Sequence, residues 1–192
     1  LAVPLAWFMV RRPSRWGAVV NACLEIPYAL PGTVLAVACI LLLAKPLPVL
    51  QVGLYGTLGI IFVAYLARFI VVALKLVQAS MQQLDLALEE AAQLAGADVW
   101  QRLRSILLPL LAPSAFAGGL LVFLTAVNEL TVSALLWSAG NETLGVLFFN
   151  SNESGDNVLA SAVAVVIVAA VAGLMAAMSV LGRHLPQGVI PW

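Results

Sequence analysis

Charge is scarce in this chain: Asp, Glu, Lys and Arg make up 9% of its 192 residues, against roughly a quarter in a soluble domain. Lysine occurs only at Lys45 and Lys75, which follow Ala44 and Leu74. Neither closes the Gly-x-x-x-x-Gly-Lys-Ser/Thr loop that cradles nucleotide phosphates. A P-loop nucleotidase is excluded. The one histidine, His184, sits in the tail RHLPQGVIPW, where contact with solvent or lipid headgroups is expected, and no cluster of His, Asp and Glu suggests an integral membrane enzyme. Cys23 and Cys39 lack metal-ligand or redox spacing and read as small hydrophobes. No metal or cofactor is expected. Nine basic and nine acidic residues cancel, so net charge gives no reason to expect nucleic acid.

What the chain has instead is apolar length. Apolar residues form 63% of it, too many to leave a polar surface in water, and a membrane-crossing helix needs about 20 of them in a row. Such stretches run roughly over 22–44, 53–74, 107–131 and 158–181, with a shorter one over 1–10. An all-α, multi-pass bundle of about five helices is predicted, as one domain over 1–192. The sequence opens at Leu1, already inside an apolar run, and reads as a fragment whose first helix is truncated.

The basic residues orient the bundle. Arg11, Arg12 and Arg15 follow the first run, Lys75, Arg102 and Arg104 lie in the polar stretch 75–106, and Arg183 follows the last run. Alternation across the runs puts all seven on one side, with Lys45 alone on the other beside the acidic stretch 137–157. By the positive-inside rule the basic side is cytoplasmic. Arg68, near the cytoplasmic end of its run, is expected to snorkel there.

Helix breakers and small residues punctuate the runs. Pro27 and Pro31, in IPYALPG, should bend or break the second run. Gly53, Gly56 and Gly59, and likewise Ala169, Gly173 and Ala177, form stripes that would let helices approach closely in lipid.

Residues 78–106, QASMQQLDLALEEAAQLAGADVWQRLRSI, are the most informative segment. Met81, Leu84, Leu88, Ala91, Ala92 and Ala95 recur at spacings of three and four, one apolar stripe on a helix, with Gln82, Gln83, Asp85, Glu89 and Gln93 largely off it. Gly96 suits a helix stop, because it adopts left-handed backbone without a Cβ clash. Asp98 and Gln101 have the spacing of a capping box that opens a second helix through Trp100, Leu103 and Ile106.

Glu90-Ala91-Ala92, three residues, Gly96, nine residues, Ile106, one residue, then Leu108-Pro109 resembles the EAA loop of binding-protein-dependent ABC importer permeases. The resemblance implies the type I, methionine-importer-like fold, with the loop at 75–106 docking into a cytoplasmic P-loop ATPase subunit. It gives Glu90, Ala91, Ala92, Gly96, Ile106, Leu108 and Pro109 as coupling residues, with ATP hydrolysed in the partner and not in this chain. It also implies a soluble substrate-binding protein on the periplasmic or outer side, a second permease half or copy, and the inner membrane as location.

For the substrate path, ionisable groups in or near spans are the candidates. Glu129, with Asn128 and Thr131, offers oxygens that suit a hard cation. Glu25, at the inner end of the second run, is read as interfacial. The stretch NELTVSALLWSAGNETLGVLFFN and PYALPG are most similar to the ferric-iron importer branch, of which this would be the C-terminal half. Thr131 departs from that branch, where a proline would follow the Glu-Leu pair, so thiamine, polyamine, sulfate and phosphonate stay open. A secondary transporter or channel is the alternative class.

Overall fold

The computed structural model describes residues 1–11, 14–45 and 53–182, and the side chains of these up to residue 177. Arg12, Arg183 and His184 lie outside the described residues. The described chain is all-α: α1 (Ala2–Arg11), α2 (Arg15–Ala29), α3 (Gly32–Leu43), α4 (Leu58–Gln83), α5 (Leu86–Leu94), α6 (Val99–Arg102), α7 (Leu108–Val127), α8 (Ser133–Leu136), α9 (Leu144–Glu153) and α10 (Asn157–Gly182).

Among the described residues, three helical stretches are long and apolar enough to cross a membrane: α4, the run Val99–Val127 and Asn157–Ala177. The interrupted pair α2 and α3 together passes the same test. At about 1.5 Å per residue, the 26 residues of α4 exceed the ~30 Å hydrocarbon core. This helix therefore absorbs residues 75–83, which the sequence alone assigns to the polar stretch.

Prolines shape both interruptions. Leu30 precedes Pro31, and the proline ring disfavours helical backbone there, so α2 stops at Ala29 and α3 begins at Gly32. Between α6 and α7 the helix widens into one π turn over Leu103–Leu107, where the Leu108 N–H reaches back to the Leu103 carbonyl. Pro109 follows at once; a proline ring clashes with the carbonyl four residues earlier in a regular helix, and the wider turn relieves that crowding.

The chain packs as two compact units. The first comprises Leu1–Ile26 and Phe69–Phe123. Its core joins Val3 and Ala6 of α1 to Leu74, Val77 and Met81 of α4 and to Leu107 and Leu111. A Cβ on Gly118 would stand 2.8 Å from the Cα of Ala73, so glycine is what lets α7 lie against α4 here. The second comprises the described residues of Pro27–Arg68 and Leu124–His184. There Leu35, Ala36 and Cys39 of α3 pack on Ile60, Ile61 and Ala64 of α4, with Val132 and Leu136 beside them.

The expected small-residue stripes come out differently. Gly53 and Gly56 precede α4, and Gly56 has φ +75°, a turn position. A Cβ on Gly173 would meet nothing within 4 Å. The close helix approach falls instead at Gly118, in a run too rich in small residues for any one to stand out by spacing.

Candidate functional site

The segment around Glu90 is built from local signals. The Asp85 carboxylate caps α5, accepting from the Ala87 N–H at 2.9 Å. The helix closes in a Schellman arrangement: the Ala97 N–H bonds the Ala92 carbonyl at 2.9 Å and the Gly96 N–H bonds that of Gln93 at 3.0 Å. Gly96 has φ +87°, a conformation open to glycine at no cost and strained for a β-branched residue. Two residues on, Asp98 and Gln101 form the expected capping box: Asp98 Oδ1 accepts from the Gln101 N–H at 2.6 Å, and Gln101 Oε1 from the Asp98 N–H at 2.9 Å. Arg102 reaches back across the turn to Gln93 Oε1 at 3.3 Å.

Asp85 changes the reading of the apolar stripe. The stripe does not run on one helix, because α4 ends at Gln83 and α5 starts afresh at Leu86. Met81 is fully buried on α4, whereas Leu88 and Leu94 on α5 are 47% and 91% exposed. Glu89, expected on the polar face, is the buried residue of α5 at 6%. It accepts from Arg11 Nε at 2.7 Å and from the Trp7 indole N–H at 3.0 Å. Glu90 and Ala91 are exposed, and Ala92 half-buried. Ile106 lies in the π turn, with Leu108 and Pro109 opening α7.

The second cluster surrounds Glu129, between α7 and α8. Its Oε1 accepts from the Thr131 hydroxyl and from the Val132 N–H at 3.1 Å. Its Oε2 faces Arg68 Nε at 3.4 Å, both side chains being mostly buried. Arg68 Nη1 also donates to the Leu30 carbonyl at 2.8 Å, the acceptor that the break before Pro31 releases from helical pairing. Tyr65 donates its hydroxyl to the Glu129 carbonyl at 2.7 Å. Arg68 therefore does not snorkel outward; it braces two helix breaks, and sequence spacing gave no sign of its partners. Asn128 turns to the Leu124 carbonyl at 2.8 Å. Glu25 pairs with Lys75 at an exposed position. Among the described residues, no three His, Cys, Asp or Glu side chains converge to hold a metal ion.

A family model described as "binding-protein-dependent transport system inner membrane component" matches residues 2–191. The chain belongs to that family. It is a multi-pass inner-membrane protein. Among relatives of the family, the Fe(3+)-transport system permease protein FbpB 2 of Haemophilus influenzae is 28% identical over 167 residues, covering 87% of this chain and 32% of that protein. The probable ABC transporter permease protein y4fN of Sinorhizobium fredii is 27% identical over 99% of this chain and 33% of its own length. The sulfate transport system permease protein CysT of Escherichia coli is 28% identical over 97% of this chain and 70% of its own length. The chain thus spans about a third of the first two relatives.

Proposed function

We propose that this chain is the membrane-spanning permease part of an ATP-binding-cassette importer, driven by a separate cytoplasmic ATPase that docks on α5 and the glycine turn. The observation that carries the reading is the exposed α5 face. Leu86, Leu88 and Leu94 stand out at 54%, 47% and 91% exposure, beside exposed Glu90 and Ala91. A short helix with capped ends and an apolar, part-acidic outer face suits insertion into a groove on a partner. Glu90 is free to pair with a basic group there, and Gly96 fixes the angle at which the chain turns into α6. The basic residues on the same side of the spans support a cytoplasmic position for the loop. The remaining partners are a second permease half or copy and a soluble substrate-binding protein.

For the path we carry Glu129, Asn128 and Thr131, which stand at a helix break; irregular backbone inside a membrane is tolerated only against protein or along a water-filled path. Because Arg68 already holds the Glu129 carboxylate, a passing ion competes with an internal cation. Ferric iron is the first substrate to assay and sulfate the second, following the two of the three relatives whose names state a substrate. Replacing Gly96 with Val tests the coupling. Strain at a positive φ costs about 1–2 kcal/mol and should uncouple ATP hydrolysis from uptake while membrane levels of the protein stay normal. Normal coupled uptake by Gly96→Val would overturn the reading.

A further inference from the structure

Glu89 is a buried carboxylate that docking to a partner does not use, and its partners lie on a different helix. Helix α1 is fixed to α4 by apolar packing of Val3 and Ala6 on Leu74, Val77 and Met81, and by the Gln78 amide donating to the Met9 sulfur at 3.0 Å. From the end of α1, Arg11 makes two contacts. Its Nε meets Glu89 Oε1 at 2.7 Å, and its Nη2 donates to the Leu84 carbonyl at 3.0 Å. Leu84 lies at the junction where α4 has ended and α5 is about to start at its Asp85 cap. One guanidinium thus spans the joint, holding the residue just after α4 and the middle of α5 together, while Trp7 takes the other Glu89 oxygen at 3.0 Å.

Besides this tie, the joint is held by the partial packing of Leu84 on the core around Met81. Residues 84 and 85 are outside either helix, and α5 buries only Glu89. The same helix exposes most of Leu94. A helix that hardly packs takes its direction from its ties.

We propose that Arg11 and Trp7 form a strap on Glu89 that fixes the direction in which α5 presents its exposed face to the ATPase subunit, making Glu89 and Arg11 positioning residues for coupling. This rests on the coupling reading above. Without the strap α5 samples several directions, and the apparent affinity for the partner falls by the fraction of time spent in the competent one.

The test uses the full chain in lipid nanodiscs, with amide hydrogen exchange over residues 86–97 and titration by the purified ATPase subunit. In Glu89→Gln, exchange over 86–97 should speed up and the apparent Kd should rise about tenfold, with exchange over α4 and α7 unchanged. Arg11→Gln cuts the strap from α1, leaves the α5 sequence intact and should give the same result, which covers failure of the first variant to insert. Exchanging the pair, Arg11→Glu with Glu89→Arg, should recover part of both readouts through the ion pair alone, since the Trp7 indole N–H and the Leu84 carbonyl lose their partners; a contribution of Glu89 to general stability alone would not respond to the exchange. Wild-type exchange rates and affinity in Glu89→Gln or Arg11→Gln, or no recovery in the exchanged pair, would overturn the strap. If the wild-type chain binds no ATPase, the coupling reading falls by itself, and hydrogen exchange still decides whether the strap holds α5.

Discussion

Glu89 and Glu129 are each met by an arginine, yet the backbone around them is made in opposite ways. Around Glu89 the turns are written in adjacent residues: Asp85 caps α5, Gly96 ends it, and Asp98 with Gln101 opens α6. Remove the arginine and those turns would still form. Around Glu129 the irregular stretch from Asn128 to Val132 has only short-range partners of its own, and long-range ones complete it. Tyr65 and Arg68 reach it from α4, and Gly32 of α3 lies against Thr131 and Glu129. The first region is local structure with ties from Arg11 and Trp7 added. The second is a tertiary construction whose ties are its structure. This difference suits the coupling role proposed for the first region and a break at the end of an apolar span in the second, where unpaired backbone groups are costly.

The contrast breaks most clearly at Arg68. Replacing it with Ala leaves the Glu129 carboxylate mostly buried without its cation and the Leu30 carbonyl without its donor. Losing one partner of a buried pair costs about 3–5 kcal/mol, and the residual exposure of both side chains puts the expectation at the lower end. Thermal unfolding in detergent should show this loss. The double replacement Arg68→Leu with Glu129→Leu should lose less than the single one, because no uncompensated charge remains. A single variant as stable as wild type would show that the pair is not what holds the break.

The two regions also differ in how far the sequence exposes them. The turns at Gly96 and Asp98 were legible because their signals are short-range: a glycine, and an acid with a glutamine at capping-box spacing. The all-α, multi-pass fold was legible for the same kind of reason, apolar length. Arg68 was not legible, because its partners Glu129 and Leu30 are 61 and 38 residues away along the chain and no periodicity links them. Glu89 was misplaced on the polar face because a single stripe was drawn through Asp85. A cap residue inside an apparently continuous pattern restarts the helix, and with it the phase of the faces. The close approach at Gly118 was missed for another reason. In a run where Ala and Gly recur throughout, spacing alone does not single out Gly118, which only the crossing of α4 distinguishes.

A milder test acts on the close approach at the break. A Cβ on Gly32 would lie 3.0 Å from Thr131 Cβ and 3.2 Å from Glu129 Oε1, and closer still to the Thr131 hydroxyl. Gly32→Ala should therefore cost about 1–3 kcal/mol through overpacking. Thr131→Val adds a methyl in place of the hydroxyl and does not relieve the crowding, whereas Thr131→Gly in the Gly32→Ala background should recover most of the loss. No recovery in thermal unfolding would mean that α3 and the 128–132 stretch do not meet as described.

The smallest effect is expected where structure is most local. Asp98→Ala removes the carboxylate that accepts from the Gln101 N–H and dissolves the capping box. A lost N-cap costs about 1 kcal/mol, and here the damage should stay inside the loop, since Asp98 is exposed and makes no long-range contact in either direction of its capping pair. Hydrogen exchange should quicken over the first turn of α6 alone, with the global unfolding midpoint nearly unchanged. Arg68→Ala should do the reverse, shifting the midpoint and leaving exchange over 86–102 as it was. If Asp98→Ala lowered the midpoint as much as Arg68→Ala does, the loop would be a tertiary construction too, and the division between local and tertiary building drawn from the two carboxylates would fail.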